Sequence, residues 1–224
     1  ASTIATLGAD VEPAAGGWRI VRVLPDRSAM GGPESPLAAP FRRVKPGEFI
    51  VEVDGRAVRP DQDLGALLVG RAGRPTMLTL AKDSQGTDAR TVEVKLPSSD
   101  AELRYADWVE TNRRAVAERS AGRLGYLHVP DMDSAGITAF TRGFFAQTDR
   151  DGLVVDIRNN GGGYVSPVLV ERLMRKPWSY SVPRDGRVET NPGRTLVGPI
   201  AVLIDQNAGS DGDIFPQTMR EVKR

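Results

Sequence analysis

The stretch IDQNAGSDGDIF, residues 204–215, sets Ser210 behind two small residues, Ala208 and Gly209, where an apolar run gives way to a helical pattern. A serine there has two uses. Its hydroxyl can cap the helix, and Asp213 three residues on completes the pattern of a capping box. Alternatively it attacks a carbonyl carbon, provided that a base takes its proton and backbone amides hold the oxyanion. Upstream, GLVVDIRNNGGGYVSPVLVERL, residues 152–173, runs strand, glycine turn, helix. Its glycines suit a phosphate on a helix N-terminus, a tight turn, or an exposed amide for an oxyanion. The run GGGYVS has neither the GxGxxG spacing nor the lysine of a phosphate-binding loop, which weakens the first of these. Judged singly, each stretch reads as plain architecture, a cap at Ser210 and a tight turn at Gly163. Judged together, two apolar strands of a parallel sheet deliver both turns to one carboxyl edge, where sites form. The N–H groups of Asp211 and Gly163 would then face the Ser210 hydroxyl across one space, the parts of an acyl-transfer site.

The elements that must position these residues alternate strand and helix from residue 122 onward. GRLGYLHVPDM reads as a strand, AGITAFTRGFFAQT as a helix, GLVVDIR as an apolar strand, SPVLVERLMRK as a helix and GPIAVLID as another apolar strand. Continuous apolar strands are expected to be buried on both faces of a parallel α/β layer. The first half differs. WRIVRVL alternates apolar and polar residues, FIVEVDGRAV reads as a hairpin about Asp54-Gly55, and PTMLTLAKD and ARTVEVKLP read as two further strands. Leu64, Leu67 and Leu68 are spaced for a short helix. A longer helix, capped by Ser99 or Asp100 and ended by Gly122, bridges the halves. The expected organisation is 1–98, a β-rich domain; 99–122, a bridging helix; and 123–224, an α/β core.

Composition narrows the chemistry. The 224 residues contain no cysteine, which excludes disulfides and thiolate sites, and a single histidine leaves little for a metal, so no metal or other cofactor is expected. The formal net charge is +1 with the basic residues scattered, which gives nucleic acid no surface to recognise. No run approaches the length of a membrane span. The sole histidine, His128, lies within the strand GYLHVPD and reads as an ordinary strand residue.

Residues 4–97, with LGADV, WRIVRVLPD, SPLA and KPGEFIVEVDGRAV in that order, resemble the circularly permuted PDZ domain of bacteria. The resemblance implies that Leu7, Gly8, Ala9, Asp10 and Val11 bind a peptide, the loop turning N–H groups toward a terminal carboxylate and the next strand pairing with the chain. Gly8 would permit the close approach, and the edge from Ala9 would offer unpaired ladder groups. The competing reading makes TLGADV the first strand of a small barrel that binds nothing.

The motifs GRLGYLHVPDM, GLVVDIRNNGGGYVS and NAGSDGDIF, in order behind a PDZ-like module and joined to it by LRYADWVETNR, resemble the tricorn protease family, serine peptidases allied to the tail-specific, C-terminal processing enzymes. That resemblance implies a mixed α+β and α/β architecture, a permuted PDZ-like domain followed by part of a crotonase/Clp-like α/β core. It assigns Ser210 as nucleophile and the N–H groups of Asp211 and Gly163 as the oxyanion hole. The family's histidine lies upstream of the PDZ module and its acid lies downstream of the nucleophile, so this chain is expected to be a fragment of a serine endopeptidase, with little activity alone. The parent would act on oligopeptides or unfolded proteins as a homo-oligomer in the cytoplasm, the alternative being export as in some bacterial relatives. Where the family carries an acid that favours basic residues, SYSVPR places Ser181, with Asp185 on the same loop, so a preference for Lys or Arg is not expected to carry over. Two other readings compete: a non-catalytic peptide-binding module on an α/β platform, and an acyl-CoA enzyme of crotonase-like architecture, against which the PDZ-like half argues.

Overall fold

The computed structural model describes residues 3–184, 186 and 188–222. The chain divides into two compact units, Ala1–Trp108 and Val109–Arg224.

In the first unit, alternation of apolar residues generates an antiparallel sheet. β1 (Ala9–Ala14), β2 (Gly17–Val23), β3 (Phe49–Val53), β4 (Arg56–Ala57), β5 (Pro75–Ala81) and β6 (Arg90–Lys95) assemble in the order β1-β2-β3-β5-β6, with β4 paired to β3. Thr76, Leu78 and Leu80 on β5 point inward while Met77 is exposed and Thr79 half-buried, the period of two expected of a half-buried strand. Ile20, Ile50, Val53, Val94 and Leu96 complete that core. Asp54 and Gly55 both take positive φ, 50° and 74°, and form the two-residue turn between β3 and β4. A short helix, α1 (Leu64–Leu68), buries Leu64 and Leu68, and the Asp63 carboxylate caps it by accepting from the Gly65 N–H at 2.8 Å. The helix α2 (Ala101–Arg119) begins in this unit, with Ser99 Oγ accepting from the Ala101 N–H at 3.2 Å.

In the second unit, β7 (Leu124–His128), β8 (Gly152–Asp156) and β11 (Ile200–Leu203) form a parallel sheet in the order β11-β8-β7. Between them lie α3 (Ser134–Phe145), α4 (Ser166–Met174) and a hairpin of β9 (Ser179–Ser181) and β10 (Glu189–Asn191); α5 (Asp211–Glu221) follows. Phe140 and Phe144 of α3, Leu169 and Leu173 of α4, and Phe215 and Met219 of α5 each repeat at four residues, so each helix turns one stripe into the core that also holds Leu153, Val155 and Ile157. In register, His128 and Leu203 flank Asp156, which brings the carboxyl ends of all three strands level.

Two features depart from the sequence-based expectation. β11 is not buried on both faces: Ala201 and Leu203 are exposed and Ile200 and Val202 half-buried, and among the described residues it pairs only with β8, at the edge of the sheet. The β9–β10 hairpin has no counterpart in that reading, since most of its side chains are exposed and leave no apolar alternation to detect. Among the described residues, no helix is long and apolar enough to cross a membrane. The fold is thus mixed: an antiparallel sheet in the first unit, a parallel sheet with helices in the second.

Candidate active site

Three turns leave the level carboxyl ends of the parallel sheet, and backbone hydrogen bonds stitch them together. The turn after β8 meets the turn after β7 where the Met132 N–H donates to Gly162 O at 2.8 Å and the Tyr164 N–H donates to Met132 O at 2.6 Å. The turn after β11 joins the same place where the Gly209 N–H donates to Asn160 O at 3.0 Å. Farther out, Asp205 Oδ1 accepts from the Asn159 N–H at 3.0 Å and Asn207 Nδ2 donates to Asn159 Oδ1 at 2.9 Å. The two motifs separated in sequence are therefore neighbours.

Ser210 does not cap α5. Its side chain makes no capping hydrogen bond, and its backbone sits at φ 55° and ψ −125°, outside the left-handed helical well and costly for a residue with a Cβ, by about 1–3 kcal/mol. The capping-box pattern with Asp213 is thus misleading: the Asp213 N–H donates to Ser210 O at 2.9 Å through the backbone alone. The turn holds the exposed serine at the entry to a helix, a placement like that of the nucleophilic serine in α/β-hydrolases.

Around it stand amides without partners. Asp211 opens α5, so its N–H is one of the donors that a helix cannot satisfy itself. Gly163 is the bridge partner of Met132 in a parallel pairing whose bonds run through residues 162 and 164, which aims the Gly163 N–H away from Met132. Among the described residues neither N–H has a hydrogen-bond acceptor. Between the two sits Gly162, a residue the sequence reading passed over. A methyl group on it would lie 2.7 Å from Ser210 Cβ and 3.0 Å from Asp211 N, so only glycine leaves the space open.

Two buried side chains hold this arrangement, and neither stands out in sequence. The Asp211 carboxylate accepts from the Ser166 N–H at 3.0 Å and from the Ser166 hydroxyl, and so caps α4 from the first residue of α5. Asn160, fully buried, donates from Nδ2 to Val129 O at 3.0 Å and accepts at Oδ1 from the Gly162 N–H at 2.9 Å. In sequence each is a short polar residue beside a glycine turn, and the partners at Val129 and Ser166 lie 31 and 45 residues away.

Below the turns lies a charged layer. Asp156 is fully buried, accepts from the Tyr126 hydroxyl at 2.7 Å and pairs with Arg158 at 2.5 Å. Burial alone would raise its carboxyl, but the hydrogen bonds from Arg158 and Tyr126 outweigh that and hold it below the usual range. The Tyr126 hydroxyl is pushed up, first by burial and then by Asp156. His128 is buried with Nε2 at 3.0 Å from Arg158 O, and burial lowers its pKa, which favours the neutral ring donating from Nε2.

In the first unit Leu7, Gly8 and Ala9 are buried, while Asp10 and Val11 are half-buried. Gly8 has φ 62°, and a methyl there would lie 2.9 Å from Pro36 Cδ and 3.1 Å from Leu103 Cδ1. Arg104 pairs with Asp10 at 2.7 Å and reaches Ala9 O at 3.5 Å. Ser181 is exposed at the end of β9, opposite Glu189, with no hydrogen bond to the three turns among the described residues, and Asp185 lies outside the described residues. No group of three or more metal-ligating side chains occurs among the described residues.

Comparison with known proteins places both units. Residues 123–224 match Peptidase family S41 and residues 5–99 match the tricorn protease PDZ domain. The chain is 43% identical over 209 residues to tricorn protease homolog 1 of Streptomyces coelicolor, covering 93% of this chain and 20% of that protein. It is 38% identical over 176 residues to the tricorn protease of Thermoplasma acidophilum, covering 79% of this chain and 16% of that protein. A crystal structure of the tricorn protease superposes with a TM-score of 0.87 at 32% identity, over 98% of this chain and 21% of that one. The chain therefore spans about a fifth of the length of these relatives. The chain thus joins a tricorn protease PDZ domain, over residues 5–99, to a domain of Peptidase family S41, over residues 123–224, and is similar to tricorn proteases across both.

Proposed function

We propose that the whole protein is a serine endopeptidase acting on oligopeptides or unfolded chains, and that these residues supply its nucleophile and oxyanion hole. The observation that carries this reading is the strained, exposed Ser210 beside two amides without acceptors, those of Asp211 and Gly163. Ser210 Oγ would attack the scissile carbonyl carbon as a base takes its proton, the carbonyl oxygen would accept both N–H groups as charge develops on it, and the C–N bond would break as the base passes that proton to the departing amine, leaving an acyl-serine. Each such donor is worth about 10²–10³ in rate. The hydroxyl still needs a base. His128, the sole histidine, is buried and directed at Arg158 O, so the base and its acidic partner are assigned to polypeptide outside these 224 residues. The 224-residue chain is accordingly expected to hydrolyse peptides negligibly, and a fluorogenic peptide assay with robust Ser210-dependent turnover by this chain would overturn that assignment. In the whole protein, a fluorophosphonate probe is expected to label Ser210, with labelling lost in Ser210→Ala; labelling that persists in this variant would refute the nucleophile.

We also propose that Leu7, Gly8, Ala9, Asp10 and Val11 take a peptide terminus. The supporting observation is the place of β1 at the edge of its sheet. The Leu24 N–H donates to Gly8 O at 2.9 Å, so at the next position the Ala9 N–H and C=O turn outward from β2, the C=O toward Arg104 at 3.5 Å. Titration with a peptide bearing a free terminal carboxylate is expected to shift the amide signals of residues 6–11, and a spectrum unchanged there would remove the groove from the function. Ser181 is proposed to line the first subsite, with no charge of its own to select Lys or Arg. Assembly as a homo-oligomer and a cytoplasmic location belong to the same proposal for the whole protein.

A further inference from the structure

We propose that Asn160 is a positioning residue that sets the spacing of the two oxyanion donors, so that one buried carboxamide governs both sides of the hole. The inference rests on the assignment of Ser210, Asp211 and Gly163 made above. Four contacts of Asn160 carry it. Nδ2 donates to Val129 O at 3.0 Å, anchoring the residue to the end of β7. Oδ1 accepts from the Gly162 N–H at 2.9 Å, which satisfies that amide, whereas the Gly163 amide has no acceptor among the described residues and stays available to a ligand. The backbone carbonyl accepts from the Gly209 N–H at 3.0 Å, fixing the residue immediately before the nucleophile. That same carbonyl oxygen lies 2.4 Å from where a methyl on Gly212 would be, so the start of α5 is packed directly against it. The glycine turn and the serine turn therefore do not touch by chance of packing. Each is referred to the same residue, which is fully buried and cannot be replaced in these bonds by water.

The carboxamide is matched to its neighbours in a directional way. It needs a donor toward Val129 O and an acceptor toward the Gly162 N–H, and an amide offers one of each. A carboxylate of the same shape has two acceptors and faces the Val129 carbonyl repulsively, whereas a protonated carboxyl again has one donor and one acceptor. Asn160→Asp is thus an isosteric variant whose hole should open and close with pH.

The test combines amide exchange, amide shifts and labelling. In the unaltered 224-residue chain, hydrogen exchange is expected to protect the Gly162 amide at least tenfold over those of Gly163 and Asp211. In Asn160→Asp near pH 8, the signals of Gly163 and Asp211 should move, and they should return toward the unaltered positions as the carboxyl protonates on acidification. In the whole protein, fluorophosphonate labelling of Ser210 by this variant should fall about 10²-fold relative to the unaltered protein, with the ratio recovering on acidification. A merely structural role predicts no such recovery. Equal labelling with an unchanged pH dependence would overturn the inference, as would Gly162 exchanging as fast as Gly163. If Asn160→Asp does not fold, the exchange pattern of the unaltered chain still decides. Should the unaltered protein fail to label at Ser210, the nucleophile assignment fails by itself, while the amide shifts continue to report whether Asn160 controls the two turns.

Discussion

Gly163→Ala is expected to destabilise the chain by about 2–4 kcal/mol and to lower fluorophosphonate labelling of Ser210 in the whole protein by at least 10², the loss typical of one oxyanion donor. The reason is steric on two counts. Gly163 has φ 148°, a conformation that side chains rarely adopt, and its added methyl would lie 2.0 Å from Met132 O and 2.2 Å from the carbonyl carbon. Neither of those atoms is the movable end of a side chain. Relief requires the Gly163 backbone to rotate, which parts it from Met132 and redirects the N–H assigned to the oxyanion. Gly161, two residues earlier, is the control: its φ is not in the positive range and a methyl there meets nothing within 4 Å, so Gly161→Ala should stay within about 0.5 kcal/mol. Urea denaturation of both variants measures the difference. Similar stabilities would show that the backbone at residue 163 yields freely and that the bridge to Met132 does not fix the amide.

The glycine pair also marks how far the sequence could be read. Strand and helix alternation after residue 122 predicts the parallel sheet, and its topology puts the two turns at one edge without any contact being known. What the pattern cannot convey is which backbone group points where. Three consecutive glycines look alike in sequence, yet Gly161 is exposed, Gly162 faces Ser210 and Gly163 is pressed against Met132. The same limit explains Ser210 and Asp213: a capping box is defined by spacing, and spacing does not reveal that the serine backbone has turned to positive φ. Asp211 was legible through its amide alone, because the Ser166 that its carboxylate holds lies 45 residues away in the chain. Local periodicity sees a helix and its ends; a hydrogen bond between the ends of two helices is a tertiary fact. The exposed β9–β10 hairpin was lost for the opposite reason, since without a buried face it leaves no period to find.

Asp156→Ala should cost about 3 kcal/mol at neutral pH, the lower end for breaking a buried ion pair, because Arg158 keeps a third of its side chain in water. The variant strands the Tyr126 hydroxyl as well, so Tyr126→Phe, which leaves the Arg158 pair in place, is expected to cost about half as much or less. The acid dependence of the unaltered chain has two parts, and both run in the same direction. His128 is held below its ordinary value by burial despite the nearby Asp156 and Asp205. Its neutral form is the one that fits, so its contribution is complete above the unfolded value of about 6.5 and is lost as pH falls toward the lower folded one. Asp156 is depressed by Arg158 and Tyr126, so its contribution is complete above the unfolded carboxyl value of about 3.9 and is lost as pH falls through the folded one. Stability measured by urea unfolding should therefore decline in a mildly acidic step and again in a strongly acidic step. Asp156→Asn, which keeps the shape but cannot ionise, should start from a lower stability and lack the Asp156 part of the second decline. If that variant were to match the unaltered chain at neutral pH and fall as steeply in strong acid, Asp156 would not be the charge on which the sheet beneath the candidate site depends.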